Sequence, residues 1–504
     1  MSTNSAHPKV EPTLAAAAGS RRQFLQRMSG GLTGLGLTEL LARDGGVPTE
    51  ASAAAPTMSP LALRNPHFAP RAKHVIYLFM YGGPSQVDSW DYKPELQKRH
   101  GQSINIETRR RRVTQGTLLG SQRKFRQYGE SGLWGSDAFP HINQQLDDIC
   151  VLRSMYADTF AHASALIQLN SGRVIQGAPT LGSWIGYGLG SENENLPGYV
   201  VMLDPRGGPI AGAANWSSGF MPAAYQGTHL RNKGEPILNL SRREGLSRSA
   251  QLDLIDTLSG LNQRHQQQRP GYSELPARSA SYDLAYQLQT TAPEAMDISQ
   301  ETRQTQAMYG LFDSAPKGVS GSLGPKPFGT QCLIARRLIE RGVRFVQIFC
   351  GAENTTARKI RPNWDSHEDL PRDHGYWGRV LDGGAAALLK DLKVRGLLDE
   401  TLVICTTEFG RQPAAQGSQG QGRDHNAGAF TAWLAGGGIR GGTSYGATDE
   451  LGWKAAVNPT YSYDFHATAL HLLGIDHERL SFYHNGIQRR LTDVHGHVIK
   501  ELII

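Results

Sequence analysis

The residues best suited to chemistry in this chain are carboxylates and imidazoles that follow apolar runs. Gly82-Gly83-Pro84-Ser85-Gln86-Val87-Asp88-Ser89-Trp90-Asp91 follows the apolar run His74–Tyr81, and Asp158-Thr159-Phe160-Ala161-His162-Ala163-Ser164 enters a helical pattern. Trp364-Asp365-Ser366-His367-Glu368-Asp369 forms a third group. The fourth joins Glu408-Phe409-Gly410-Arg411, at the end of an apolar run, to Gly422-Arg423-Asp424-His425-Asn426. Mixed nitrogen and oxygen donors on such loops suit a divalent ion such as Zn²⁺ or Mn²⁺. An ion there would polarise an ester oxygen or generate hydroxide. Each group also has a plainer reading. Asp88 and Asp91 could cap a turn or helix, Asp365 and His367 could be surface residues, and Asp424 with His425 could be a structural pair. Glu408 is hardest to dismiss, because a charge ending a buried strand is costly unless paired. Spacing alone does not define a metal site.

The elements that must position these groups can be read from periodicity. His74–Tyr81 reads as a buried strand stopped by Gly82-Gly83-Pro84. Further strands are expected at 149–152, 199–203, 343–349 and 401–407, with helical segments at 141–148, 162–170, 328–341 and 377–395. In the segment 328–341, Cys332, Leu333, Leu338 and Ile339 share a face, which leaves Arg336 and Arg337 outside. Gly342 stops that helix, and Gly396 is a C-cap for the next. Strands alternating with helices predict an α/β/α sandwich around a mainly parallel sheet. Residues 240–320 turn to Gln, Ser and Arg with helical spacing, and read as a helical insertion, a lid or an oligomer contact. Ligands in open α/β sheets bind beyond the carboxyl ends of the strands. The four groups fall there.

With 504 residues, 39% hydrophobic and 19% charged, and 58 Gly and 26 Pro between apolar runs, the chain is globular and rich in turns. Wholesale disorder, collagen and coiled coil do not fit. A net charge of +7, from 52 basic and 45 acidic residues, is compatible with an anionic ligand. It is too small and too scattered for a nucleic-acid protein. Ser20-Arg21-Arg22-Gln23-Phe24-Leu25 resembles a twin-arginine export motif; a weakly apolar stretch and Ala51-Ser52-Ala53 follow it. Residues 1–55 are therefore expected to be a removed leader, with the mature protein periplasmic or at the cell surface. No later run reaches the roughly 20 apolar residues of a membrane span. Cys150, Cys332, Cys350 and Cys405 each sit in an apolar run, as buried thiols do. A Cys332–Cys350 bridge is open to an exported chain.

Gly82-Gly83-Pro84-Ser85 with Asp88, Thr407-Glu408-Phe409-Gly410-Arg411 and Gly422-Arg423-Asp424-His425 resemble the exported bacterial family called domain of unknown function 1501. Leu434-Ala435-Gly436-Gly437-Gly438, Tyr445-Gly446-Ala447-Thr448-Asp449-Glu450 and Asp464-Phe465-His466-Ala467-Thr468 extend the likeness over 72–503. That family is grouped with alkaline phosphatases and sulfatases, which implies their three-layer fold, hydrolysis of sulfate or phosphate esters, and a divalent metal (zinc, manganese or calcium). Sulfated polysaccharide is the implied substrate. The resemblance places His162 where those enzymes carry a nucleophile, and Asp365, His367, Glu408 and His425 at metal positions. It also departs from them, since Tyr81-Gly82 replaces the usual aspartates and no Ser, Thr or Cys stands at the nucleophile position. Three readings stay open: His162 as nucleophile; His162, His367, Glu408 and His425 around one metal; or a fold that binds, or assembles with, a partner without turnover.

Overall fold

The computed structural model describes residues 61–107, 113–193, 195–231, 237, 245–268, 286–289, 291–314, 324–353, 361–417 and 420–504. The twin-arginine motif and the expected leader lie outside them. An eight-stranded sheet organises the described residues. Its strands are β1 (His74–Met80), β2 (Ile149–Met155), β3 (Tyr199–Met202), β4 (Thr228–Leu230), β5 (Phe345–Cys350), β6 (Thr401–Thr406), β7 (Phe430–Ala435) and β8 (Thr443–Tyr445), in the order β8-β2-β7-β6-β1-β5-β3-β4. Only β7 runs against its neighbours. Val75 of β1 registers with Leu402 of β6 and Phe345 of β5, so the three strands expected to share a sheet are adjacent.

Six helices matter here: α1 (His162–Ser171), α2 (Leu181–Leu189), α3 (Arg248–Gln267), α4 (Lys326–Glu340), α5 (Leu370–Val394) and α6 (Ser462–Leu472). The two faces of β1 show why a strand buried on both sides reads as one continuous apolar run. Ile76, Leu78 and Met80 pack into one core with Leu333 of α4 and Leu381 of α5. Val75, Tyr77 and Phe79 pack into a second with Leu166 of α1, Trp184 of α2 and Phe465 of α6. This is a three-layer α/β/α sandwich. Each such side chain contributes about 1.5–3 kcal/mol by burial, so Leu78→Ala in the central strand would cost about 2–5 kcal/mol.

Element boundaries follow local chemistry. α5 begins at Leu370, well before 377, because the Asp369 side chain accepts from Arg372 N and Pro371 occupies the first turn. The 141–148 segment is a 3₁₀ helix, Ile142–Asp148. Within 240–320 the described residues contain helices and no strand. Leu288, Ala292, Ala295 and Tyr309 from this segment enter the core beside α4. That packing corrects the placement of Arg336 and Arg337, which are 1% and 4% exposed rather than outside. Arg336 meets Glu301 at 2.6 Å, Glu340 at 2.6 Å and Asp391 at 2.9 Å. Arg337 meets Glu301 at 2.6 Å and the Ala295 carbonyl at 2.9 Å. The α4 periodicity was right, but Ala295 and Glu301, ahead of it in the chain, supplied partners. All four cysteines are buried and free, so no Cys332–Cys350 bridge forms. Among the described residues no helix is long and apolar enough to cross a membrane.

Candidate metal centre

Strands β1 and β6 end side by side, and their carboxyl ends carry the site. Gly82, one residue beyond Tyr81, adopts φ +120°, and a Cβ there would lie 2.6 Å from the backbone nitrogens of Trp364 and Asp365. Glycine thus lets the 361–369 loop lie against the end of β1, where Trp364 N donates to the Tyr81 carbonyl at 3.0 Å. Glu408 follows β6 and is fully buried. Its carboxylate accepts from Gly82 N at 2.9 Å, from the Thr407 hydroxyl at 2.9 Å and from His162 Nδ1 at 2.7 Å. His162 is the first residue of α1. His425 stands on a short antiparallel ribbon in which Arg411 registers with it, so the Glu408–Arg411 and Gly422–Asn426 motifs are cross-strand neighbours.

Four side chains meet above these strand ends. Oδ1 of Asp365 lies 2.8 Å from His367 Nε2, 3.0 Å from His425 Nε2 and 3.5 Å from His162 Nε2. The Nε2 atoms of His367 and His425 are 3.0 Å apart, and the rings of His162 and His425 have centroids 4.5 Å apart. Behind each ring stands an acceptor. His162 Nδ1 faces Glu408, His367 Nδ1 faces Gln416 Oε1 at 2.7 Å, and His425 Nδ1 faces the Phe160 carbonyl at 2.8 Å. An acceptor at Nδ1 fixes a proton there, which leaves the Nε2 of each ring facing the shared centre as the atom that gains or loses the second proton.

Charge in the cluster is unevenly distributed. Burial works against ionisation of Asp365, yet Arg411 at 2.7 Å and the three imidazoles hold its carboxyl far below the usual range. Burial also opposes charge on His162, but Asp365 and Glu408 outweigh it and raise the ring to about 9. Burial lowers His425 to about 4, so it is neutral at pH 7. A neutral His425 that donates through Nδ1 presents a lone pair to a carboxylate oxygen 3.0 Å away. Two acceptors at that distance need a cation between them. Among the described residues the buried Nε2 of His162 also has no hydrogen-bond partner.

These donors fit a divalent ion. Ligands with bonds of about 2.0–2.1 Å in a tetrahedron are about 3.3 Å apart, and the three Nε2 atoms lie 2.8 to 3.5 Å from Asp365 Oδ1, with those of His367 and His425 3.0 Å apart. His162, Asp365 and His425 form one possible ligand group, and His367, Asp424 and His425 another. Glu408 is placed differently from the other expected ligands. Its oxygens are taken by Gly82, Thr407 and the far side of His162. Such outer partners orient a ligand and raise its basicity.

The two motif arginines are structural. Arg411 gives its guanidinium to the carbonyls of Gly82, Gly83 and Arg423 and to Asp365. Arg423 binds Asp88 at 2.8 Å and the Leu119 carbonyl at 2.8 Å. Asp88 also accepts from Ser85 and Ser121, and Asp91 pairs with Lys93 and Thr448, so both aspartates are held by side chains and, among the described residues, neither caps a backbone N–H as expected.

The family profile described as "Protein of unknown function (DUF1501)" matches residues 72–503. This chain is a member of the DUF1501 family. No curated protein matches it. Among solved structures, the DUF1501 chain is similar to a sulfatase from Pseudoalteromonas sp. at 12% identity, covering 83% of this chain and 71% of that one with a TM-score of 0.33. It is similar to a protein in the alkaline phosphatase superfamily from Vibrio parahaemolyticus at 8% identity, covering 84% and 72%, with a TM-score of 0.31. A phosphonate monoester hydrolase from Silicibacter pomeroyi matches at 13% identity over 67% and 68%, with a TM-score of 0.29. Likeness of this degree carries nothing about a reaction.

The structure brings His162, Asp365, His367 and His425 together, with Glu408 behind His162. Sequence reasoning missed Gln416 and the Phe160 carbonyl, which set two of the three tautomers. Gln416 lies in a Gly/Gln/Ser loop whose composition gives no sign of it, and a carbonyl has no sequence signature at all.

Proposed function

We propose that this DUF1501 protein is an exported hydrolase that opens one sulfate or phosphate ester with the help of a divalent ion. The observation that carries the reading is the approach of a neutral His425 Nε2 to Asp365 Oδ1, with His367 and His162 completing the set. In this reading His162, His367, His425 and Asp365 hold the ion, and Glu408 positions His162. A bound divalent ion would polarise the ester and lower the pKa of a water molecule.

The chain's own groups favour attack by water over a covalent step. Thr407 donates to the Met80 carbonyl and Glu408, and Ser366 donates to Asp373, so neither nearby hydroxyl is aimed at the cluster. His162 is a ligand here, since its Nε2 is the atom that faces Asp365. Asp365 and Glu408 against Arg411 and a divalent ion leave about one positive charge, enough to favour a single anionic group. The N-terminus of α1, at His162, adds a partial positive charge. Sulfated polysaccharide, the substrate implied by family resemblance, would meet the site through one of its sulfate esters. Export rests on Arg21 and Arg22: changing both to Lys should strand precursor in the cytoplasm, and unchanged export would remove that part of the proposal.

Protein purified from its native host tests the reading. It should carry about one divalent ion per chain, and hydrolyse an aryl sulfate or aryl phosphate until chelated. Metal-loaded protein that turns over neither ester would instead support a binding or assembly role on this fold.

A further inference from the structure

We infer that this protein docks on an anionic membrane surface through a cavity at the far end of α1 from the metal cluster. The helix joins the two places. Its first residue, His162, belongs to the cluster, and its last, Ser171, lines a separate cavity of about 330 Å³. Ten helical residues put that cavity about 15 Å from the cluster.

Two segments build the cavity. α1 stops at Gly172, where a Cβ would lie 2.8 Å from the Leu491 carbonyl, so the loop that follows starts against the C-terminal segment. Arg173 closes this contact on Asp493 at 2.8 Å. Beside it stands the hairpin of Phe482–His484 with Ile487–Arg489, turned at Asn485-Gly486. The His484 ring stacks on Phe220 with centroids 4.7 Å apart, and Phe220 in turn meets Trp184 of α2.

Cationic and aliphatic side chains share the rim. Arg173, Arg489 and Arg490 line the cavity with His484, and Ile175 lines it while 73% exposed. Ile487 registers with His484, so it stands on the same face of the hairpin, and it is 48% exposed. Val494, next to Asp493, is 74% exposed. Guanidinium groups suit phosphate oxygens, and a cavity of this volume suits one head group. A free phosphate would use the arginines alone. A lipid surface uses both sets, with its phosphates on the guanidiniums and its shallow acyl boundary around Ile175, Ile487 and Val494.

Vesicle sedimentation of the full chain is the test. Phosphatidylglycerol vesicles should bind it at least about tenfold more tightly than phosphatidylcholine vesicles, and binding should fall as salt is raised. Arg489→Gln with Arg490→Gln should weaken it about 30-fold, at about fivefold per guanidinium. Ile175→Ser, an exposed change that serves if the arginine pair fails to fold, should weaken it about tenfold. Residues 1–60 are the same in every variant, so any contribution they make to binding cancels. Equal binding to the two lipids overturns the inference, as does binding that neither variant weakens. Inorganic phosphate that binds by calorimetry while phosphatidylglycerol vesicles do not bind also overturns it, and leaves the cavity to a soluble anion.

Discussion

Two buried polar clusters in this protein are built on opposite principles. Under α4, Arg336 is surrounded by Glu301, Glu340 and Asp391, and Arg337 shares Glu301, so each cation finds its counter-charge within the chain. At the carboxyl ends of β1 and β6, three imidazoles turn their Nε2 atoms toward one oxygen of Asp365. Arg411 supplies one positive charge there, 2.7 Å from Asp365 Oδ1, and gives its other donors to backbone carbonyls. Complete internal pairing marks structure; three imidazoles converging on one carboxylate oxygen, one of them holding a proton that a metal ion would displace, mark a place for a ligand. Burial is expensive in both, and only the first offsets it from within.

The largest expected effect comes from breaking the second cluster. Asp365→Asn should bring metal content below detection with the fold retained, since the carboxylate touches all three Nε2 atoms. A variant that keeps its metal would put Asp365 in the structural class with Arg336. The converse change is Arg336→Leu, which leaves Glu301 with Arg337 and Asp391 with Arg395 and Tyr309 but removes the cation they share, and should cost about 3 kcal/mol in denaturant unfolding. Metal content per folded chain should not change. If it falls in parallel, the two clusters are one system and the contrast fails.

A smaller effect distinguishes holding a ligand from orienting one. Glu408→Gln should reduce metal affinity about 10–100-fold, as loss of an outer partner does, while Asp365→Asn abolishes it. Equal losses from the two would return Glu408 to the ligand set. The smallest effect concerns a buried group outside both clusters. His374 on α5 accepts Ser85 N at 2.9 Å, and burial lowers its pKa to about 3. The unfolded chain takes up that proton near 6.5, so this contribution is whole above pH 6.5 and is lost as pH falls toward 3. Thermal unfolding followed from pH 7.5 to 4.5 should show a falling Tm, with a shallower slope in His374→Gln. An unchanged slope would mean that His374 is not buried neutral.

The sandwich was legible because its signals are local. Strands β1, β5 and β6 are apolar runs bounded by glycine or charge, and α5 ends at Val394 just before Gly396. His162, Glu408 and His425 were legible through motif resemblance, and the lone charge after β6 pointed to Glu408 independently. Their roles were not, because they depend on which ring nitrogen faces inward. That orientation is set by Phe160 and Gln416, which lie far away in sequence from the rings they hold. Arg336 and Arg337 failed for a related reason. A helical wheel shows which face is charged, but not that Glu301 and Ala295 will cover it.

Zinc K-edge absorption on the zinc-loaded protein addresses the central claim most directly, because it reads the ligands themselves. The expected first shell is nitrogen and oxygen at about 2.0–2.1 Å, with the outer scattering of three imidazoles that drops to two in His162→Ala. A shell containing sulfur at about 2.3 Å, or one whose imidazole scattering is the same in His162→Ala, would contradict it.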